Sequence, residues 1–212
     1  MLTETTGRTP QDLTAELTAV AAVNDWPSVW AGPPQGGTAE FYAWCERYGW
    51  EPQTTERSLW VRTRSGGDWT LFPVLGGDWS PLASLRHQGW HVTAGSGKEN
   101  PDVHTAAAEV WSTYLKAAEA ALGAPTWSGQ WDAPDFPEPP HPAYWRDREE
   151  RALSRNPFRF AYWAPEAAVP GQPCITLSQS VSFQAWTTDG GPGGSAISVD
   201  VYAPLEFLAG DR

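Results

Sequence analysis

Near the start of this 212-residue chain the apolar side chains recur at every third or fourth position: Leu13, Leu17, Val20 and Ala21, then Phe41, Trp44, Cys45 and Tyr48. That spacing lines one face of an α-helix. The first set predicts a helix over residues 10–24, opened by Thr9-Pro10-Gln11-Asp12, with Thr9 as N-cap, Pro10 in the first helical position and Asp12 in the third. Asp25-Trp26-Pro27 stops it. A Pro/Gly segment from Ala31 to Gly37 leads to a second helix, capped by Thr38 and ended by Gly49, a residue free to adopt the left-handed conformation of a helix terminus.

Beyond residue 58 the period drops towards two. Leu59–Arg64 and Trp69–Val74 flank Ser65-Gly66-Gly67-Asp68, which predicts a β-hairpin closed by its glycines. Gly-Gly-Asp-Trp at 66–69 returns at 76–79 and reads as a second, similar turn, and a short strand is expected around Gly89–Val92. Helical spacing resumes in Val103, Ala107, Val110, Trp111, Tyr114, Ala118, Ala121 and Leu122, predicting a helix over 101–122 capped by Asn100 and ended by Gly123 and Pro125. A Pro- and acid-rich connection from 124 to 142 carries no period, and a short charged helix follows at 144–154. The last third alternates: a strand at 158–163, a long one at 175–186 and one at 197–202, with Ile175, Leu177, Gln179, Val181, Phe183 and Ala185 on one face and mainly hydroxyl side chains on the other. Such alternation belongs to antiparallel strands with one wet face. Helices and strands come in separate blocks, so the expected class is α+β: a single domain with an antiparallel sheet of five to six strands packed against two to four helices, and a loop or insertion at 124–142.

Charge narrows the choice of partner. Fourteen Lys and Arg face 25 Asp and Glu, a net charge of −11. This opposes a phosphate backbone, so no nucleic acid is expected, whereas it steers basic proteins inward. Residues 1–40 hold five acids and one base, and residues 160–212 again five and one. No stretch has the roughly 20 apolar residues of a membrane span, and residues 1–10 lack the cationic and apolar start of a leader. No membrane contact is expected, and the reading is cytoplasmic.

Motifs for chemistry are weak. His87 and His91 stand at i, i+4, with Glu99, Asp102 or His104 as third candidates, but Gly89 and the lack of H-E-x-x-H argue against a metal. Cys45 and Cys174 read as small buried hydrophobes. Ser128 and Ser180 have no obvious base, the glycines at 190–194 lack the helix and lysine of a phosphate loop, and the sequence proximity of pairs such as Asp132 and Asp135 does not show the opposed geometry that sugar chemistry needs. No catalytic residue, metal or cofactor is expected. Tryptophan stands out, at 14 residues. Trp44 and Trp111 lie on helix stripes, but Trp69, Trp79, Trp127, Trp131 and Trp186 fall at turns, in the Pro-rich loop or on a polar strand face, where a ring serves as a contact anchor.

Four features together resemble small actinobacterial families found among polymorphic-toxin immunity proteins. They are Asp25-Trp26 ending the first helix, Tyr48-Gly49-Trp50 ending the second, the hairpin after it, and Leu122-Gly123-Ala124-Pro125-Thr126-Trp127 ending the long helix. The resemblance implies a non-enzymatic protein that neutralises a cognate toxin by binding it. The expected partner-binding residues are Trp127, Trp131, Asp132, Asp135 and Glu138, facing a protein partner such as a basic toxin. Two alternatives use the same composition: a carbohydrate-binding or glycan-acting protein built on exposed tryptophans, and a chaperone-like adaptor for a secreted effector.

Overall fold

The capping signal before the first helix works as the sequence implies. In this computed structural model, which describes residues 1–4, 8–56, 59–74, 79–165 and 169–208, the Asp12 carboxylate accepts from the Thr9 amide at 2.8 Å and the Thr9 hydroxyl accepts from the Asp12 amide at 3.2 Å. This reciprocal pair starts α1, Pro10–Ala21. Asp25 does more than stop it: its carboxylate accepts from the Ser28 amide and begins a further helix, α2, Trp26–Ala31, with Pro27 in the first turn. Thr38 caps α3, Ala39–Arg47, through the Phe41 amide, and Phe41, Trp44 and Cys45 are buried. Gly49, at φ 70°, takes the left-handed turn that ends it.

The strands are β1 (Thr3–Glu4), β2 (Trp50–Pro52), β3 (Leu59–Thr63), β4 (Asp68–Pro73), β5 (Leu82–Thr93), β6 (Trp127–Gln130), β7 (Arg159–Trp163), β8 (Cys174–Val181) and β9 (Gly194–Tyr202). Their hydrogen-bonded order is β2-β3-β4-β5-β9-β8-β7-β6, with β1 beside β5. The α+β class and the antiparallel sheet stand, but among the described residues eight strands lie on this path, and β1 makes nine, where five to six were expected. The long helix is α4 (Asn100–Leu122), followed by α5 (Arg148–Ser154) and α6 (Leu205–Leu208). Of the six α-helices among the described residues, the four foreseen ones are α1, α3, α4 and α5.

Several differences have local causes. The strand expected at 89–92 is the end of the twelve-residue β5. Its other half was hidden because Ser84, Arg86 and Gln88 interrupt the apolar run. β8 stops at Val181, and Phe183–Trp186 form a 3-10 turn rather than a strand. Nor is the second face of β8 wet throughout, since Thr176 is as buried as Leu177. The second Gly-Gly-Asp-Trp turn falls mainly outside the described residues.

Asn100 is not a cap. It lies fully buried in the first turn of α4, its amide donating to the Gln184 and Thr187 carbonyls at 2.7 and 2.6 Å while its oxygen accepts from the Gly193 amide at 2.8 Å. It therefore fixes the loop between β8 and β9.

The chain forms two compact units, each drawn from three stretches. Unit 1 comprises Met1–Thr14, Gln88–Trp163 and Thr176–Val199; unit 2 comprises Ala15–His87, Ala164–Ile175 and Asp200–Arg212. In unit 1 the α4 stripe of Val103, Ala107, Trp111, Tyr114 and Ala118 is buried, and Gln179 on β8 donates to the Ala107 carbonyl at 2.8 Å. In unit 2, Trp26 and Trp30 stack at 5.0 Å and the Trp30 indole donates to the Gly171 carbonyl. The same unit buries a carboxylate completely. Glu16, on the stripe of α1, accepts from the Thr63 hydroxyl at 2.9 and 2.8 Å, the Gly67 amide at 2.7 Å and the Trp69 indole at 3.0 Å. A Cβ on Gly67 would stand 2.2 Å from the Glu16 carboxyl carbon, so the hairpin needs glycine there to approach so closely.

Candidate functional site

Residues 124–142 are not wholly irregular. Trp127–Gln130 pair with β7, Trp127 opposite Tyr162 and Gln130 opposite Arg159, and make β6 the terminal strand of the path. After it the chain turns back on its own aromatic side chains. The Trp127 indole donates to Asp135 at 3.1 Å and its ring meets Phe136 edge-on at 4.9 Å. Phe136 stacks on Phe160 of β7, and Trp145 packs against Phe160 and Tyr162. Prolines fix this route, since each presets its own φ and confines its predecessor to extended conformations.

Arg151 of α5 holds the turn from beneath. It is buried, donates from Nε to the Trp131 carbonyl at 2.8 Å, and lies 3.8 Å from the centre of the Phe136 ring. Burial pulls its guanidinium below the usual value, with the Glu138 carboxylate nearby acting in the opposite direction. Trp127, Trp131, Asp135 and Glu138 thus adjoin one cluster, and Asp132 lies in the turn directly after Trp131. Trp127 and Trp131 are half-buried, and Asp132, Asp135 and Glu138 are exposed. Asp135 is committed to Trp127; among the described residues Asp132 and Glu138 make no hydrogen bond or salt bridge, though the Glu138 charge acts on Arg151. Sequence reasoning missed Arg151, whose signal was an arginine three residues from Arg148 on a short helix bordering an aromatic loop.

Comparison with family models, curated proteins and solved structures finds no match to the chain. The resemblance to immunity proteins therefore stands on its sequence motifs.

The other expected chemistry takes these positions. His87 is buried on β5, stacked on Trp69 at 5.2 Å with Nδ1 2.8 Å from the Asp68 carbonyl. An extended strand holds residues i and i+4 far apart, so His87 and His91 do not converge as they would on a helix. No three His, Cys, Asp or Glu side chains among the described residues are grouped to hold a metal. Cys45 and Cys174 are buried free thiols, each pushed up to about 12 by burial, which leaves essentially no thiolate at neutral pH. No described helix is long and apolar enough to cross a membrane. Trp69 is 2% exposed; Trp79 and Trp186 are half-buried, and Trp60 is the most open of the tryptophans at 37%.

Unit 2 also contains a half-enclosed cleft of about 450 Å³. Its wall is the C-terminal half of α1, the end of α3 with Tyr48 and Trp50, and the β3–β4 turn. Four titratable acids and bases besides Tyr48 border it. Glu16 already accepts hydrogen bonds on both oxygens. Asp25 caps α2, and the Ser28 bonds that the cap makes hold its carboxyl below the usual range. Arg47 and Arg64 are exposed and form no salt bridge among the described residues, though the Arg47 charge acts on the Asp25 carboxylate. The Tyr48 hydroxyl is shielded from solvent and makes no well-formed hydrogen bond, and burial pushes the phenol up.

Proposed function

We propose that this chain is a non-enzymatic, acidic protein-binding protein, an immunity-type inhibitor that neutralises a basic toxin through the Trp127–Glu138 cluster. The observation that supports this most is the pairing of an ordered aromatic cluster with the exposed carboxylates of Asp132 and Glu138. A prearranged aromatic surface loses little conformational entropy on binding, and exposed carboxylates give a cationic partner both speed of approach and register. The position of β6 at the end of the strand order adds a backbone edge that an extended segment can join. The net charge of −11 acts in the same sense at long range.

The test is affinity capture from native lysate at low and at moderate salt, with wild-type bait and with a bait carrying Asp132→Asn and Glu138→Gln. One basic protein is expected, recovered in stoichiometric amount, weakened by salt and lost with the double variant. Expression of that protein alone should arrest growth, and co-expression with this chain should restore it. Recovery of no stoichiometric partner, or of one indifferent to the double variant, overturns the reading.

A further inference from the structure

The cleft in unit 2 has features of a small-molecule site, and they lie outside the acidic cluster. Its interior is apolar and aromatic, with Val20, Val23, Trp26 and Trp50 in the wall. Its volume of about 450 Å³ lies within the range of ligand pockets. Two carboxylates border it, but neither is free to receive a ligand: Glu16 is saturated by Thr63, Gly67 and Trp69, and Asp25 is bound to the start of α2. Two exposed guanidiniums also border it, in a chain where acids outnumber bases by 25 to 14: Arg64 forms no salt bridge among the described residues, and Arg47, beside Tyr48 and acting on Asp25, forms none at bonding distance. Tyr48 lines the cleft too, its hydroxyl shielded from solvent with Arg47 and Ser28 beside it.

We propose that this cleft binds a small amphipathic carboxylate, with its apolar body against Trp26 and Trp50 and its anionic group on Arg47 and Arg64. Guanidinium groups match a carboxylate in planar, two-pronged geometry, which selects it over a neutral isostere. The aromatic wall supplies area without selecting a particular ring or alkyl chain. The proposal needs nothing from Asp132 or Glu138, so it survives or falls independently of the protein partner.

Saturation-transfer NMR on the whole protein, with phenylacetate, 4-phenylbutyrate and octanoate as probes, detects even weak binding. The matching amides and amines serve as comparators. The carboxylates should bind at least about tenfold more tightly than their amides, the difference expected when charge-assisted hydrogen bonds are lost. Arg47→Gln and Arg64→Gln should each weaken the carboxylate severalfold and leave the amide unchanged. Arg62→Gln should change nothing, because Arg62 pairs with Asp68 and does not line the cleft. The acid-to-amide ratio is read on the wild-type protein, so the test stands even if a variant folds poorly. Equal binding of acid and amide, preference for the amines, or no saturation transfer from any carboxylate overturns the proposal.

Discussion

Replacing Thr63 by valine tests whether the buried Glu16 carboxylate is held by hydrogen bonds alone. The side chains are nearly the same shape, and Thr63 sits in β3, where valine is at home. The substitution exchanges for a methyl the hydroxyl that lies 2.9 and 2.8 Å from the two Glu16 oxygens. A hydrogen bond to a charged group contributes about 1.5–3 kcal/mol. Glu16 has no water to turn to, because it is 0% exposed. Thr63→Val should therefore lower the free energy of unfolding by about 2–3 kcal/mol. Thr63→Ser keeps the hydroxyl and loses one methyl group, so it should cost only about 0.8 kcal/mol. Urea titration followed by circular dichroism measures both, with an unchanged slope as the sign that the unfolded states are alike. A valine variant within about 0.5 kcal/mol of wild type, or a serine variant as damaged as the valine one, would refute the account of Glu16 as a carboxylate braced by its donors.

Asn100→Ala should remove about 3 kcal/mol, since it strands the Gly193 amide and the Gln184 and Thr187 carbonyls; hydrogen exchange should rise across residues 182–194 before it rises elsewhere. Cys45 and Cys174 should resist a thiol reagent in the native protein up to mildly alkaline pH and react fully in denaturant, because burial pushes both up to about 12; fast native labelling would contradict their burial. Asp25→Ala should destabilise the protein near neutral pH and match wild type in acid. The folded-state pKa of Asp25 lies below its ordinary 3.8, so its contribution is present above that value and is lost as the pH falls through the folded one. Thermal unfolding across that range checks the convergence. Arg151→Met should leave α5 in place yet speed proteolysis between residues 131 and 142, as the Trp131 carbonyl and the Phe136 ring lose their partner, and lysine should not restore protection because it lacks the planar fork.

Local signals were the legible ones. Thr9, Thr38 and Gly49 act within three or four residues of themselves, and the helices they bound are where the apolar spacing puts them. Asn100 was misread for the opposite reason: a cap and a buried latch use the same side chain, and only the distant loop at 184–193 tells them apart. The stretch at 124–142 looked irregular because β6 is four residues long and its partner, β7, lies some 30 residues further along the chain. Glu16 did leave a trace. It falls between Leu13 and Leu17 on the apolar stripe of α1, and an acid in that place calls for donors from elsewhere in the fold. Of the candidate cluster, sequence composition pointed to the five residues, but its arrangement depends on Arg151 and Phe160, which no local pattern connects to them.

The discontinuity of the two units has a consequence for biosynthesis. β9 supplies Gly194–Val199 to unit 1 and Asp200–Tyr202 to unit 2. Neither has all its parts until this strand leaves the ribosome, which at ordinary elongation rates means about 10–40 s after residue 1 is added. During that interval the nascent chain holds unpaired strand edges and apolar helix faces, a state that favours chaperone attendance and punishes premature termination. A messenger truncated anywhere before residue 194 would yield no smaller working version of the protein.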